Sequence, residues 1–311
     1  MAIKPLALQR GDTIGLVTLG SPLDATTINT RVQFLRDMGF NIVFGKYVYS
    51  IYGIVSAPAD KRAEDLMDMF RNPNVKMILA TRGGTGVQGI LPYLDFDVIR
   101  ENPKLISGYS DITVLLNSLY QYSDLISFHS LMLIDFRAET PPYNFNQFFS
   151  ATSTFTSPRA IINPPEVVRM GINPGNVTGP IVGGNITSIV NAIGTPYEID
   201  TKGKILFLED THTPANMILR YFTQLSMAGK FNDCIGIIMG ECTNCPVAYN
   251  TSYADLINSV LVPTRKPLIT NFATGHGRFK AAIPVGARVN MNATNNTITV
   301  MEPTVSWEQV P

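Results

Sequence analysis

The stretch that most constrains this chain runs from Lys104 to Tyr120 and reads Lys-Leu-Ile-Ser-Gly-Tyr-Ser-Asp-Ile-Thr-Val-Leu-Leu-Asn-Ser-Leu-Tyr. It begins as a short apolar run of the kind a buried strand uses. It turns at Gly108-Tyr109-Ser110 and continues with Ile112, Leu115, Leu116 and Leu119 at helical spacing. Ser110 therefore falls where a strand hands over to a helix. Such a turn lifts a hydroxyl clear of the backbone and sets it beside the positive end of the helix dipole. Negative charge developing on an attacked carbonyl is favoured there. The nucleophile-elbow pattern has glycine two residues to either side of the serine; Gly108 fills one place and Ile112 the other.

The same alternation extends on both sides. An apolar strand within Gly11–Gly20 leads to a helix marked by Ile28, Val32, Leu35 and Met38 and stopped at Gly39. Asn41–Phe44 reads as a strand, Ala63, Leu66, Met67 and Phe70 as a helix stripe, and Val75–Ala80 as a strand ending in Arg82-Gly83-Gly84-Thr85-Gly86. This rhythm, sustained to about Asp135, predicts an α/β fold: an N-terminal parallel-sheet domain with flanking helices. From Arg137 to Gly179 prolines recur at 141, 142, 158, 164, 165 and 174. The expected division is thus an N-terminal domain over 1–160, a linker over 161–178 and a smaller C-terminal α/β domain over 179–311. In the latter, Ile186, Ile189, Val190 and Ile193 mark a helix, and Lys204–Asp210 is a buried strand ending in acids. Thr213-Pro214 opens another helix, 235–239 and 267–270 are strands, and 289–293 with 297–301 form a hairpin turning at Asn295-Asn296.

Composition limits the partners. The chain has 311 residues, 45% hydrophobic and 15% charged, with net charge zero. A large core is therefore available, and neither nucleic acid nor an anionic membrane surface is expected as a partner. The N-terminal residues lack the apolar run of a signal peptide, and no apolar run reaches the length of a membrane span, so a cytoplasmic protein is expected. Three cysteines fit reduced thiols better than a disulfide framework. Cys242-Thr-Asn-Cys245 is a single CxxC with no further metal ligands at suitable spacing, so no metal is expected.

Three histidines can be weighed one by one. His276 lies in Thr274-Gly-His-Gly277 just beyond a strand, where the flanking glycines allow close approach. His129, between apolar segments, reads as a core residue, and His212 as a loop residue. Glu209 ends a strand on the side where open α/β sheets build their sites, with Asp210 and Glu241 as competitors. A serine, an acid and a histidine at three strand ends are the parts of a triad, which is defined by geometry and not by order. The Arg82–Gly86 loop matches neither a P-loop nor a dinucleotide fingerprint, and is better suited to offer a backbone N–H to an oxyanion with Asp111 N–H as its partner.

Taken together, Gly11-Asp-Thr-Ile-Gly15, Arg82-Gly-Gly-x-Gly86, Gly108-Tyr-Ser-Asp-Ile-Thr113, Gly183-Gly-Asn185, Phe207-Leu-Glu-Asp210 and Gly275-His-Gly277 resemble the LD-carboxypeptidases, a serine-peptidase family that includes the microcin C immunity proteins. The resemblance spans nearly the whole chain. It implies Ser110 as nucleophile, His276 as general base and Glu209 as its orienter, with an oxyanion hole from the backbone N–H groups of Gly84 and Asp111. It implies no cofactor, a triad assembled across two domains, and commonly a homodimer. The substrate class it implies is a murein tetrapeptide, cut between an L-diamino acid and D-alanine. In the immunity branch the substrate is an aminoacyl nucleotide. A non-catalytic two-lobe binding protein is the remaining alternative. Arg82 and Asn185 are candidates for substrate contact. Two positions depart from the family's pattern and bear on substrate specificity: His129-Ser130-Leu131 stands where the family often has His-Gly-Pro, and Thr85 where an aromatic residue is frequent.

Overall fold

The computed structural model describes residues 2–307; residues 308–311, part of the expected C-terminal domain, lie outside the described residues. The chain divides into two compact units. The first holds the residues up to Phe155, together with Ala282–Gly286 and the stretch from Thr304 onward. The second holds Thr156–Ala281 and Ala287–Pro303.

In the first unit, strands β1 (Thr13–Val17), β2 (Asn41–Phe44), β3 (Val75–Ala80), β4 (Leu105–Gly108) and β5 (Ser127–His129) are all parallel, in the order β5-β4-β3-β1-β2. The segment Ile283–Val285 adds an antiparallel strand beyond β5. Helices α1 (Ala25–Asp37), α2 (Ala59–Arg71), α3 (Phe96–Glu101), α4 (Thr113–Ser123) and α5 (Pro142–Thr152) connect and follow them. Leu16, Val17, Ile78, Leu79 and Phe128 are fully buried, which explains why these strands read as continuous apolar runs rather than alternating ones. The predicted stripes of α1, α2 and α4 all face inward: Ile28, Val32 and Leu35, then Ala63, Leu66, Met67 and Phe70, then Leu115, Leu116 and Leu119. Pro142 sits in the first turn of α5, where a missing N–H costs nothing.

In the second unit, β6 (Arg159–Ala160), β7 (Met170–Asn173), β8 (Asn176–Asn185), β9 (Ile205–Thr211), β10 (Gly236–Thr243) and β11 (Leu268–Phe272) precede the strand already described, now β12 (Ile283–Val285). The last two are β13 (Arg288–Asn292) and β14 (Thr297–Val300). The sheet order is β6-β14-β13-β8-β9-β10-β11-β7. Its four middle strands β8, β9, β10 and β11 are parallel, and its wings pair antiparallel, including the predicted β13–β14 hairpin. The helices here are α6 (Ile186–Ala192), α7 (Ala215–Met227), α8 (Lys230–Asp233) and α9 (Tyr253–Leu256).

The structure differs from the sequence expectation in three places. Residues 161–178 were expected to link two consecutive domains, yet they contain β7 and the start of β8. Proline breaks helices but is tolerated at sheet edges and strand ends, so a proline-rich stretch can still supply an edge strand. The two units are also not consecutive blocks, because Ala282–Gly286 belongs with the first. Thr213 does not cap α7; its hydroxyl donates to Asp210 Oδ1 at 3.0 Å, and Pro214 takes the cap position. Among the described residues no helix is long and apolar enough to cross a membrane.

Phe207 is fully buried at the middle of β9. Phe207→Ala is expected to destabilise the protein by about 3–5 kcal/mol, because the ring leaves a cavity that the sheet cannot close. Chemical denaturation followed by far-UV circular dichroism measures it.

Candidate active site

In a parallel sheet the C-terminal strand ends are where loops gather. In the first unit, β1 leads to Gly20-Ser21, its neighbour β3 to Arg82–Gly86, and β4 to Ser110. Ser110 has φ +63°, a left-handed conformation that is strained for a non-glycine residue and typical of a nucleophile elbow. A short 3₁₀ turn, Ser110–Ile112, then feeds into α4. The departure from the usual glycine pattern has a packing reason. A Cβ on Gly108 would lie 2.7 Å from Ile112 Cγ2, so the isoleucine side chain fills the room that glycine leaves.

The glycine loop lies against this serine. A Cβ on Gly83 would fall 2.8 Å from Ser110 Cβ, 3.0 Å from its Oγ and 3.2 Å from Asp111 N. The peptide N–H of Gly84 follows directly. The loop is held from three directions. Ser21 N–H donates to Gly83 O at 3.1 Å, and Ser21 Oγ accepts from Thr85 N–H at 3.1 Å. Asp111 Oδ2 accepts from Val87 N–H at 2.8 Å. The third anchor, Arg62 on α2, was not legible in the sequence. It is 4% exposed, and its guanidinium donates to Ala57 O at 2.7 Å, to Gly86 O at 2.8 Å and to Leu19 O. Burial pulls its pKa below the ordinary guanidinium range, and the charge of Asp111 opposes the shift. Arg82, a candidate for substrate contact, is half-buried and makes no hydrogen bond or ion pair among the described residues.

The second unit carries the acid and the histidine. His276 Nδ1 and Glu209 Oε2 are 2.8 Å apart; the imidazole side chain is 17% exposed and the carboxylate side chain fully buried. Gly275 makes this approach possible, since a Cβ there would lie 2.3 Å from Glu209 Oε2. Glu209 Oε1 is buried with no hydrogen-bond partner among the described residues.

The competing acids have other surroundings. Asp210 is 2% exposed and accepts from Thr187 N–H at 3.0 Å, Thr187 Oγ1 at 2.9 Å, Thr211 N–H at 2.7 Å and Thr213 Oγ1 at 3.0 Å, so it ties the start of α6 to the approach to α7. Burial raises its pKa above the usual carboxylate range. Glu241, at the end of β10, is half-buried.

Asn185 was a candidate for substrate contact; its side chain caps α6, accepting from Ser188 N–H and Ser188 Oγ at 3.0 Å each, and its amide donates to Asp210 Oδ1 at 3.3 Å. His129 is 1% exposed in β5, as a core histidine should be. His212 is an exposed loop residue whose Nδ1 lies 2.8 Å from Thr211 Oγ1.

The cysteine expectation is corrected. Cys242 and Cys245 form a disulfide, with Cα atoms 5.5 Å apart across the turn that leaves β10. A CxxC turn brings two Cα atoms within bridging range without any disulfide framework, so an odd cysteine count does not exclude a local bridge. Cys234 is a buried thiol, pushed up to about 11 by burial. No group of three His, Cys, Asp or Glu residues that could hold a metal occurs among the described residues.

A hydroxyl on a strained strand-to-helix turn and an imidazole bonded to a buried carboxylate are parts that hydrolases use. Sequence comparison agrees. Residues 14–130 match the LD-carboxypeptidase N-terminal domain, and residues 178–291 match the LD-carboxypeptidase C-terminal domain. The chain belongs to the LD-carboxypeptidase family, and it is a hydrolase. It is 35% identical to a probable murein peptide carboxypeptidase of Bacillus subtilis (strain 168), over 96% of this chain and 94% of that one. It is 29% identical to the microcin C7 self-immunity protein MccF of Escherichia coli, over 98% and 97% of the two chains. Among solved structures, MccF in complex with glutamyl sulfamoyl guanosine superposes with a TM-score of 0.91 at 25% identity, covering 98% of this chain and 100% of that one.

Arg62→Met removes donors from three carbonyls around the glycine loop. It is expected to cost about 2–4 kcal/mol of stability, since a buried acceptor left unpaired forfeits its solvation. Hydrogen–deuterium exchange is expected to rise first in residues 83–89.

Proposed function

We propose that this protein is a serine-type LD-carboxypeptidase that removes the terminal D-alanine from murein tetrapeptides, cutting after the L-diamino acid. The observation that carries the reading is the 2.8 Å pair between His276 Nδ1 and the buried Glu209. An ionised Glu209 accepts from Nδ1–H, which fixes the tautomer and leaves Nε2 as the ring atom able to take a proton. In this reading Nε2 takes the proton of Ser110 Oγ as that oxygen attacks the scissile carbonyl. The imidazolium then returns the proton to the departing amine of D-alanine. Glu209 orients the ring and stabilises its charged form. A water, deprotonated by the same imidazole, hydrolyses the acyl-enzyme. Gly84 N–H and Asp111 N–H receive the oxyanion, supported by the fit of Gly83 against Ser110 and Asp111 N. Arg82, a half-buried cation without a protein partner among the described residues, suits the terminal carboxylate of the peptide. Asn185, the other candidate for substrate contact, caps α6 through its Oδ1. The reading includes the cytoplasmic location expected from the sequence and the homodimer that the family resemblance implies.

Extensive similarity to MccF supports a second reading, a serine amidase acting on an aminoacyl nucleotide. The higher identity to the murein peptide carboxypeptidase favours the first.

Incubation with murein tetrapeptide, followed by mass spectrometry, is expected to show loss of one alanine. Ser110→Ala is expected to reduce kcat by 10³-fold or more, and Glu209→Gln by about 10²–10⁴-fold with KM little changed. Wild-type turnover by Ser110→Ala rules out the nucleophile. Cleavage of an aminoacyl nucleotide but not of the peptide selects the second reading.

A further inference from the structure

One acid singled out in the sequence has no place in the triad scheme. Glu241 ends β10, and its Oε2 lies 1.5 Å from where a Cβ on Gly277 would be, so its carboxylate rests on the backbone of the residue following His276. Only glycine leaves room for it there. The carboxylate has no hydrogen bond or ion pair among the described residues. Lys280, whose charge acts on Glu241, donates to Gly277 O at 2.7 Å. Burial raises the Glu241 pKa above the usual range; the charge of Lys280 opposes that shift and Glu209 adds to it. Glu209 repels this half-buried carboxylate, and Lys280, which favours it, is itself engaged on Gly277 O, so a second cation arriving beside the base would stabilise it further.

The position of Glu241 suggests what that cation is. If His276 serves the attacked carbonyl, Gly277 lies one residue away, and consecutive Cα atoms are about 3.8 Å apart. A group resting on Gly277 is then within the span of a four-carbon side chain growing from the residue that owns that carbonyl. We infer that Glu241 is the recognition residue for the side-chain ammonium of the L-diamino acid whose carbonyl is attacked. The inference rests on the murein-peptide reading above and adds to it the basis of selection for a diamino acid at the cleaved bond.

The test compares two tetrapeptides with lysine in third position, one with a free ε-amine and one Nε-acetylated, using the wild type, Glu241→Gln and Glu241→Asp. A charge-assisted hydrogen bond predicts that the wild type prefers the free amine by roughly 10- to 100-fold in kcat/KM, mostly through KM. Glu241→Gln is expected to lose that preference, read as the ratio of kcat/KM for the two peptides within the variant. Glu241→Asp keeps the charge and is expected to keep part of the preference. Equal kcat/KM for both peptides in the wild type overturns the inference. So does a preference that survives in Glu241→Gln, which would make it steric. A wild type that cleaves neither peptide overturns the murein reading itself, and is recognised without any variant.

Discussion

The bond between His276 and Glu209 is the interaction around which the candidate site of the second unit is built. A carboxylate with no exposed surface is expensive in isolation, because its charge loses hydration. Here the cost is offset by a short bond to an imidazole, and the pair exists because two elements distant in sequence converge. β9 delivers Glu209 at its C-terminal end, and the loop after β11 delivers His276 through a glycine whose missing Cβ admits the carboxylate. Between them runs β10, paired parallel to both strands. Asp210 performs a separate task beside Glu209, since four protein hydrogen bonds fasten it to α6 with its cap and to the turn before α7. Adjacent acids on one strand point to opposite faces. One face of β9 therefore carries the acid bonded to His276 and the other the scaffold.

The first unit solves a different problem, the display of a hydroxyl on a strained residue. A left-handed non-glycine residue costs roughly 1–3 kcal/mol, and it persists only where its surroundings over-determine it. Ser110 is held by the packing of Ile112 onto Gly108, by the bond from Val87 N–H to Asp111, and by the glycine loop against its own side chain. That loop is in turn fixed by Ser21 and by the buried guanidinium of Arg62. Arg suits the task because its planar fork can serve several carbonyls at once.

Much of the fold was legible because hydrophobic periodicity reports local geometry directly. The strands and stripes of the first unit, the acid-ended β9 and the β13–β14 hairpin appear where their spacing puts them. The proline-rich stretch misled because proline excludes helix interiors, not edge strands. The cysteine count misled because it bears on disulfide frameworks, whereas Cys242 and Cys245 need only one tight turn. Arg62 was invisible because a single arginine on an amphipathic helix reads as surface, and its three acceptors belong to other segments.

The sequence by itself determined the α/β class, the turn that carries Ser110, the glycine loop and a short roster of acids and histidines. Each of these is written in residues close together in the chain. Only the tertiary structure decided which of Glu209, Asp210 and Glu241 meets His276. The partners lie 67 residues apart, and their meeting depends on the order of parallel strands in a sheet. No local spacing records that order.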